Sequence, residues 1–377
     1  MPSFCFGEVK MKGLYIHIPF CIKKCKYCDF NSFSAGCEDK DAYLSALICE
    51  MERYRGECVD TVFIGGGTPT SLTAEQLEIL LKNIQENFVL AETCEFTVEA
   101  NPKTLDEEKL ETFKKYGVNR LSIGVQSFCD NELLALGRVH TGPEAEETIL
   151  LAKKYFDNVS IDLMCSIPDQ TKESFRQNLE RAFSLGTQHI SCYSLILEEG
   201  TPLFDQNEKG NLVLPSEDAE REIYEMLVAE MEKHGYLQYE ISNFAKQGFE
   251  SRHNKKYWQC DEYIGIGLSA HSYVDGVRFS NTDDFSSYIK GEFSSGESEI
   301  LSKEDKMSEF MFLGLRMTDG VSKTEFAGRF EESLEKVFEK PLLKFKKMGM
   351  IEEKGDRICL TKKAISVSNQ IMCEFIL

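Results

Sequence analysis

The sequence predicts an α/β fold: a partial (β/α)6 barrel followed by a small helical, winged-helix-like C-terminal domain. Three observations carry that expectation. Six short apolar runs recur before residue 200, and helical spacing separates them. The polar and thiol-bearing residues cluster at the ends of those runs. Beyond about residue 300 the pattern changes to helices and one hairpin.

The runs are Leu14–Ile18, Thr61–Ile64, Phe96–Glu99, Leu121–Val125, Val159–Met164 and Ile190–Leu195. They are rich in Val, Ile, Phe and Tyr, as strands are. Between them, Ala74–Asn87, Leu105–Tyr116 and Lys172–Leu185 have helix-like spacing. Repeated strand–helix alternation implies a parallel sheet with right-handed crossovers, and six units suit a partial barrel over residues 12–240. Residues Glu240–Tyr273 read as loop-like, inside a linking segment at 241–300. From Ser302 the chain reads as helical, with an apolar stripe through Met307, Phe310, Met311 and Leu315. Met350–Glu353 and Ile358–Thr361 flank Lys354-Gly355-Asp356, which reads as a hairpin turn. These make a packing or docking domain at 301–377. Residues 1–11 form an N-terminal extension. Its first ten residues have no periodicity and no cap, so they are expected to be dispensable, with Met11 an alternative start.

At 377 residues the chain exceeds the size at which one core usually splits. Its 42% hydrophobic content is ordinary, and its net charge of −20 argues against nucleic acid or an anionic membrane as partner. Fourteen cysteines fit reduced thiols. No signal peptide and no membrane-spanning apolar run is seen, so a cytoplasmic protein is expected.

Cys21, Cys25 and Cys28 stand in a C-x3-C-x2-C spacing just after the first strand. A loop that short can turn three soft sulfurs onto one object. Thiolates select iron–sulfur clusters or zinc. Zinc would need a second hook, and no C-x2-C or H-x3-H pair supplies one. Three ligands on a cubane leave one iron open to a substrate. Gly65-Gly66-Gly67-Thr68-Pro69-Thr70 follows the second strand; it is neither a Walker loop nor a dinucleotide fingerprint. Either it is a tight strand-to-helix turn or its glycines let the backbone approach a ligand. Glu99 ends the third strand, Gln126 the fourth, and Asp162 lies in the fifth. Chemistry in α/β barrels sits at those carboxyl ends. Arg138 can grip a carboxylate.

Together, His17-Ile18-Pro19-Phe20-Cys21 through Phe30, Gly65–Thr70, Glu99-Ala100-Asn101-Pro102, Gly124-Val125-Gln126-Ser127-Phe128, Leu136-Gly137-Arg138-Val139-His140 and Asp162-Leu163-Met164 resemble the coproporphyrinogen III oxidase-like radical S-adenosylmethionine (SAM) family. The match runs from about residue 12 to the end of the chain. The resemblance implies a [4Fe–4S] cluster on Cys21, Cys25 and Cys28, with SAM at the open iron. By the same resemblance, Tyr15, Tyr27, Gly66, Gly67, Thr68, Glu99, Gln126, Arg138, Asp162 and Ile196 contact SAM. The family has a dehydrogenase branch and a heme-chaperone branch. Dehydrogenases carry a further Cys two positions after the third cluster Cys, where this chain has Phe30, and a long N-terminal extension, where this chain has about a dozen residues. His253-Asn254-Lys255-Lys256-Tyr257-Trp258 resembles the H-N-x-x-Y-W motif of the chaperone branch. The resemblance therefore implies heme binding and transfer to an acceptor protein, with membrane contact only through that acceptor. Radical decarboxylation of coproporphyrinogen III is the alternative. No catalytic residue is assigned. His253 is the leading heme-ligand candidate, in a loop where Tyr257 and Trp258 could cover the porphyrin. His140 and His271, expected near the barrel mouth, are its rivals.

Overall fold

The computed structural model describes residues 11–34, 36 and 39–377. The expectation for residues 1–10 lies outside the described residues. Six parallel strands form the frame: β1 (Lys12–Ile18), β2 (Cys58–Gly66), β3 (Val89–Ala100), β4 (Arg120–Gln126), β5 (Val159–Cys165) and β6 (His189–Ser194). Each coincides with one of the six apolar runs. They pair in sequence order, every pair parallel. Their apolar residues bury against the helices and against each other; all seven residues of β4 are buried.

The crossover helices start where their caps dictate. In α2 (Ala74–Asn87), Thr73 and Gln76 form a reciprocal capping box; Thr171 and Ser174 do so for α6 (Lys172–Leu185). Each such cap contributes about 1 kcal/mol. The buried faces of these helices, such as Leu77, Leu80, Leu81 and Ile84 in α2, complete one core running from Leu14 to Phe293.

The segment Glu240–Tyr273 is not loop-like. It follows β7 (Leu237–Glu240) and contains β8 (Asn243–Ala245), the helix α9 (Arg252–Trp258) and β9 (Tyr263–Ile266). β9 pairs parallel with β1, on the side opposite β2. It is followed by β10 (His271–Val274), β11 (Val277–Asn281) and β12 (Ser294–Ile300). The twelve strands run β12-β11-β10-β9-β1-β2-β3-β4-β5-β6-β8-β7, so the sheet stays open. Helix α9 escapes periodicity because it is seven residues long and depends on a distant anion. The Glu95 carboxylate on β3 accepts from the backbone N–H groups of Arg252 and His253, both at 2.9 Å. A side chain from another element thus shares the orphan donors of this helix start with the local cap Ser251, which accepts from the Asn254 N–H.

Residues 303 onward build a second apolar cluster from Met307 to Phe375 around α11 (Lys303–Gly314). Here the hairpin appears as β14 (Ile351–Lys354) and β15 (Arg357–Leu360), with β13 (Val321–Ser322) alongside β15. Among the described residues no helix is long and apolar enough to cross a membrane.

One buried carboxylate ties the front of the sheet together. Glu50, on α1 (Lys40–Met51), is 1% exposed. It accepts from the Gly267 N–H at 3.0 Å, the Tyr288 hydroxyl at 2.6 Å and the Asn281 amide at 2.6 Å. Removing it strands three donors inside the protein. Glu50→Ala should therefore lower unfolding stability by about 3 kcal/mol, seen as a lower urea midpoint at unchanged slope. An unchanged midpoint would show that water replaces the carboxylate.

Candidate cofactor site

At the carboxyl ends of β1–β6 the lumen opens into one cavity of about 340 Å³. Cys21, Cys25, Cys28, Tyr27, Gly66, Gly67, Thr68, Glu99, Gln126, Arg138 and Asp162 all line it. Tyr15 stands behind this wall, with its ring against Phe63 and its hydroxyl 2.9 Å from His17 Nδ1. Ile196 does not join them: it is 67% exposed on the segment after β6 and lines no part of the cavity.

The thiol loop is held from outside. Phe20–Cys21 pairs with Phe33–Ser34, the Lys26 N–H donates to the Leu136 carbonyl at 2.9 Å, and the Leu203 N–H donates to the Lys26 carbonyl at 3.0 Å. Two sulfurs receive hydrogen bonds. Thr68 Oγ1 donates to Cys21 Sγ at 3.6 Å, and Arg138 Nη1 donates to Cys25 Sγ at 3.4 Å. Donors of this kind orient thiolate ligands and tune what they hold. Burial pushes the Cys21 thiol up, and the Cys28 thiol up to about 11, so a metal must displace their protons. Among the described residues no three His, Cys, Asp or Glu side chains converge on a single ion. Three thiols around one wide cavity, two with donors on sulfur, fit a polynuclear cluster better than a lone zinc.

Arg138 is not free to grip a carboxylate with its whole fork. Its Nη2 donates to Asn101 Oδ1 at 2.6 Å and to the Gly124 carbonyl, while its buried Nε has no partner among the described residues. It acts here as a strut between β4 and the thiol loop. Asn101 also donates to Thr68 Oγ1 at 2.7 Å, so Asn101, Thr68, Arg138 and two cysteines form one network. The sequence flagged Asn101 only as part of a motif, and its role emerges from these contacts.

Two backbone positions shape the mouth. Gly66 has φ +107, and a Cβ there would lie 2.5 Å from the His17 ring, so no other residue fits. Gln126 has φ +68, left-handed for a non-glycine, at a register shift between β4 and β5. Such strain concentrates at binding sites. Here it ends β4 and brings Gln126 Oε1 to the Tyr193 hydroxyl at 3.0 Å. Tyr193, on β6, is a wall residue that sequence reasoning missed; alternation along β6 was its only signal.

Glu99 on β3 and Asp162 on β5 line the lumen on either side of β4. Burial, then the charge of Asp162, pushes the Glu99 carboxyl up to about 8. Burial also raises Asp162, whose oxygen accepts from Ser122 at 3.3 Å.

The histidines separate clearly. His253 is on α9, not in a loop, and is 1% exposed. One ring nitrogen lies 2.9 Å from Thr61 Oγ1 and the other 2.8 Å from the Tyr257 hydroxyl. Its ring stacks on Phe63, and burial pushes its pKa down to about 3. The loop expected there is a helix instead, and it turns His253 into the sheet. His140 is also buried, 3.1 Å from the Val125 carbonyl. His271 opens β10 and is exposed.

Glu99 supplies a pH test. Its folded pKa lies above the ordinary 4.5, so it binds its proton more tightly folded than unfolded. The stability this gives is full below 4.5 and is lost as pH rises through about 8. Cofactor-free protein should lose stability between pH 5 and 8, and Glu99→Gln should show a shallower loss. Urea midpoints at those two pH values read this directly, and equal losses in both proteins would refute it.

Comparison with known proteins matches residues 15–182 to the radical SAM superfamily model and residues 301–367 to the HemN C-terminal domain model. The solved structure of coproporphyrinogen III oxidase (HemN) from Escherichia coli, a radical SAM enzyme, superposes with a TM-score of 0.85. That alignment covers 97% of this chain and 90% of that one at 23% identity, and it shows the fold. The heme chaperone HemW of Bacillus subtilis is 42% identical over 97% of this chain and 99% of its own length. The heme chaperone HemW of Lactococcus lactis is 38% identical over 98% of both, and that of Escherichia coli 37% identical over 83% and 85%. With relatives this similar over nearly its full length, the chain belongs to the HemW family of heme chaperones, within the radical SAM superfamily.

Proposed function

We propose that this chain binds heme and passes it to an acceptor protein, and that it holds a [4Fe–4S] cluster and SAM in the barrel. The observation that carries the reading is the full-length similarity to HemW of Bacillus subtilis, covering 97% of this chain. Phe30 supports it: at the position where dehydrogenases have a further thiol, this chain presents a phenylalanine that is 62% exposed.

Cys21, Cys25 and Cys28 are the proposed cluster ligands, kept in orientation by Thr68 and Arg138. The chemistry such a cluster supplies when bound is attachment of SAM and delivery of an electron to it. The chain's part is to shape the pocket. Gly66 and Gly67 put no side chain between the backbone and the amino-acid end of SAM, although their N–H groups are given to the Glu99 carboxyl and the Ile18 carbonyl, and Glu99 and Asp162 offer carboxyl groups to its hydroxyls. Tyr27 and Gln126 stand on the same wall, with Tyr15 behind it. Ile196 joins this set only if the segment after β6 folds inward. The free thiols fit the cytoplasm, where thiols stay reduced.

Heme is cargo and needs an accessible ligand. His253 would have to leave both Thr61 and Tyr257 to serve. His271 would not have to leave anything: among the described residues its imidazole has no hydrogen-bond partner, and it lies two residues beyond Ser269. The Ser269 hydroxyl accepts from the Asn31 amide at 2.7 Å, which places the start of β10 next to the thiol loop.

Anaerobic reconstitution should load about four irons per chain with a broad charge-transfer band, as thiolate-held cubanes show. Serine at any one of Cys21, Cys25 or Cys28 should abolish it, and tight zinc without iron would refute the assignment.

Heme titration should saturate near one per chain, and coproporphyrinogen III should not be converted. His271→Ala should shift the Soret band and weaken binding. His253→Ala should instead lower the melting temperature and leave the band in place. A band that moves with His253→Ala restores that residue as ligand. No saturable heme binding, or multiple-turnover conversion of coproporphyrinogen III, overturns the chaperone reading.

A further inference from the structure

The cavity is deeper than the SAM contacts require, and its floor holds a charge with no partner. Arg120 opens β4 and shares its lumen-facing alternation with Ser122 and Gly124. Gln126, at the mouth, is six residues further along the strand, roughly 20 Å at about 3.3 Å per residue. Arg120 is 2% exposed, yet it lines the cavity. Its Nε is buried without a partner, and no described carboxylate lies within ion-pair distance of its guanidinium. A guanidinium stays charged in proteins, and a buried charge is costly unless something pairs with it.

The groups that face it do not supply that pairing. Glu99 lies level with Ser122 and Asp162 level with Gly124, both further along than Arg120, and burial raises both carboxyls although the Arg120 charge partly offsets it. His189 and His253 are buried, and Arg120 itself helps keep them uncharged. Tyr239, which also feels the charge, is kept as a neutral phenol. What the floor does offer is polar and neutral. Ser122, Ser191, Asn243 and Asn254 line it. The Asn243 Oδ1 is buried without a partner, and the Asn254 side-chain amide has no hydrogen-bond partner among the described residues. Asn254 is the second residue of the H-N-x-x-Y-W segment, so that segment reaches the lumen through its asparagine and not through its histidine.

We propose that the barrel floor binds the carboxylate of a small organic molecule on Arg120, with Asn254 and Asn243 engaging its remaining polar groups. The guanidinium fork matches a carboxylate in a two-bond grip. One negative charge balances one guanidinium. A phosphate, at roughly −1.5 to −2, would leave surplus negative charge unbalanced in a buried site. Arg120, Asn243 and Asn254 line the cavity, yet none of them is among the residues assigned to SAM. This site does not depend on heme binding and stands or falls separately from it.

The test is a set of thermal melts on cluster-reconstituted protein saturated with SAM, so that the upper site is filled. Sodium acetate, sodium succinate and inorganic phosphate are compared with sodium chloride at matched ionic strength. Acetate or succinate should raise the melting temperature saturably by several degrees. Phosphate should not. Arg120→Met should lose the rise while keeping its cluster absorbance and SAM affinity. Asn254→Ala should weaken the apparent affinity about tenfold. An absent rise in wild type, an equal rise in Arg120→Met, or a rise with phosphate alone overturns the proposal. So does loss of SAM binding in Arg120→Met, which would assign the residue to the SAM site. Should Arg120→Met not fold, Asn254→Ala decides, and an unchanged affinity there is equally fatal.

Discussion

Side-chain alternation along parallel strands is the constraint on which the rest of this structure depends. The outer face of each strand is buried under helices, so apolar residues must occupy one set of positions. The other set faces a lumen and is free to be polar. In β4 the outward set is Leu121, Ile123 and Val125, and the inward set is Arg120, Ser122 and Gly124. The same division places Glu99, Asp162, Ser191 and Tyr193 on one wall. A one-residue slip in any strand would exchange the two sets and destroy core and site together.

The site is built by breaking that regularity where the strands end. Gln126 turns left-handed and Gly66 adopts a backbone only glycine allows. The thiol loop leaves the sheet and is tied back through Lys26, Leu136 and Leu203. Rigid strands hold the positions, and the irregular ends aim the groups. The hydrogen bonds from Thr68 and Arg138 to sulfur join these ends into one unit, so the cysteine loop inherits the order of β2 and of the segment after β4.

Electrostatics inside the lumen are those of a dry space. Burial raises Glu99 and Asp162, lowers His189 and His253, and raises the Cys21 and Cys28 thiols. Each group is driven toward its neutral form, and arginine alone cannot follow. Arg138 meets this with a carbonyl, an amide and a sulfur, whereas Arg120 has no such partners. Two arginines in one cavity thus have opposite meanings, one a finished support and the other an open valence.

The sequence by itself determined the six-strand frame, because buried parallel strands need apolar runs and turn residues that local composition records. It also determined the cysteine spacing, the glycine turn after β2 and the hairpin Ile351–Leu360, all of which are short-range patterns. Only the tertiary structure decided what the segment after residue 240 does. Helix α9 is capped both by its local Ser251 and by Glu95, more than 150 residues earlier, and β9 exists because β1 offers an edge. Neither cause leaves a periodic trace. His253 is the clearest case: its neighbours Tyr257 and Trp258 suggest an aromatic site, yet Thr61 and Phe63 draw the ring into the sheet. Whether an imidazole, a guanidinium or a thiol is free or engaged depends on partners brought from distant elements, and that is settled only when the chain closes on itself.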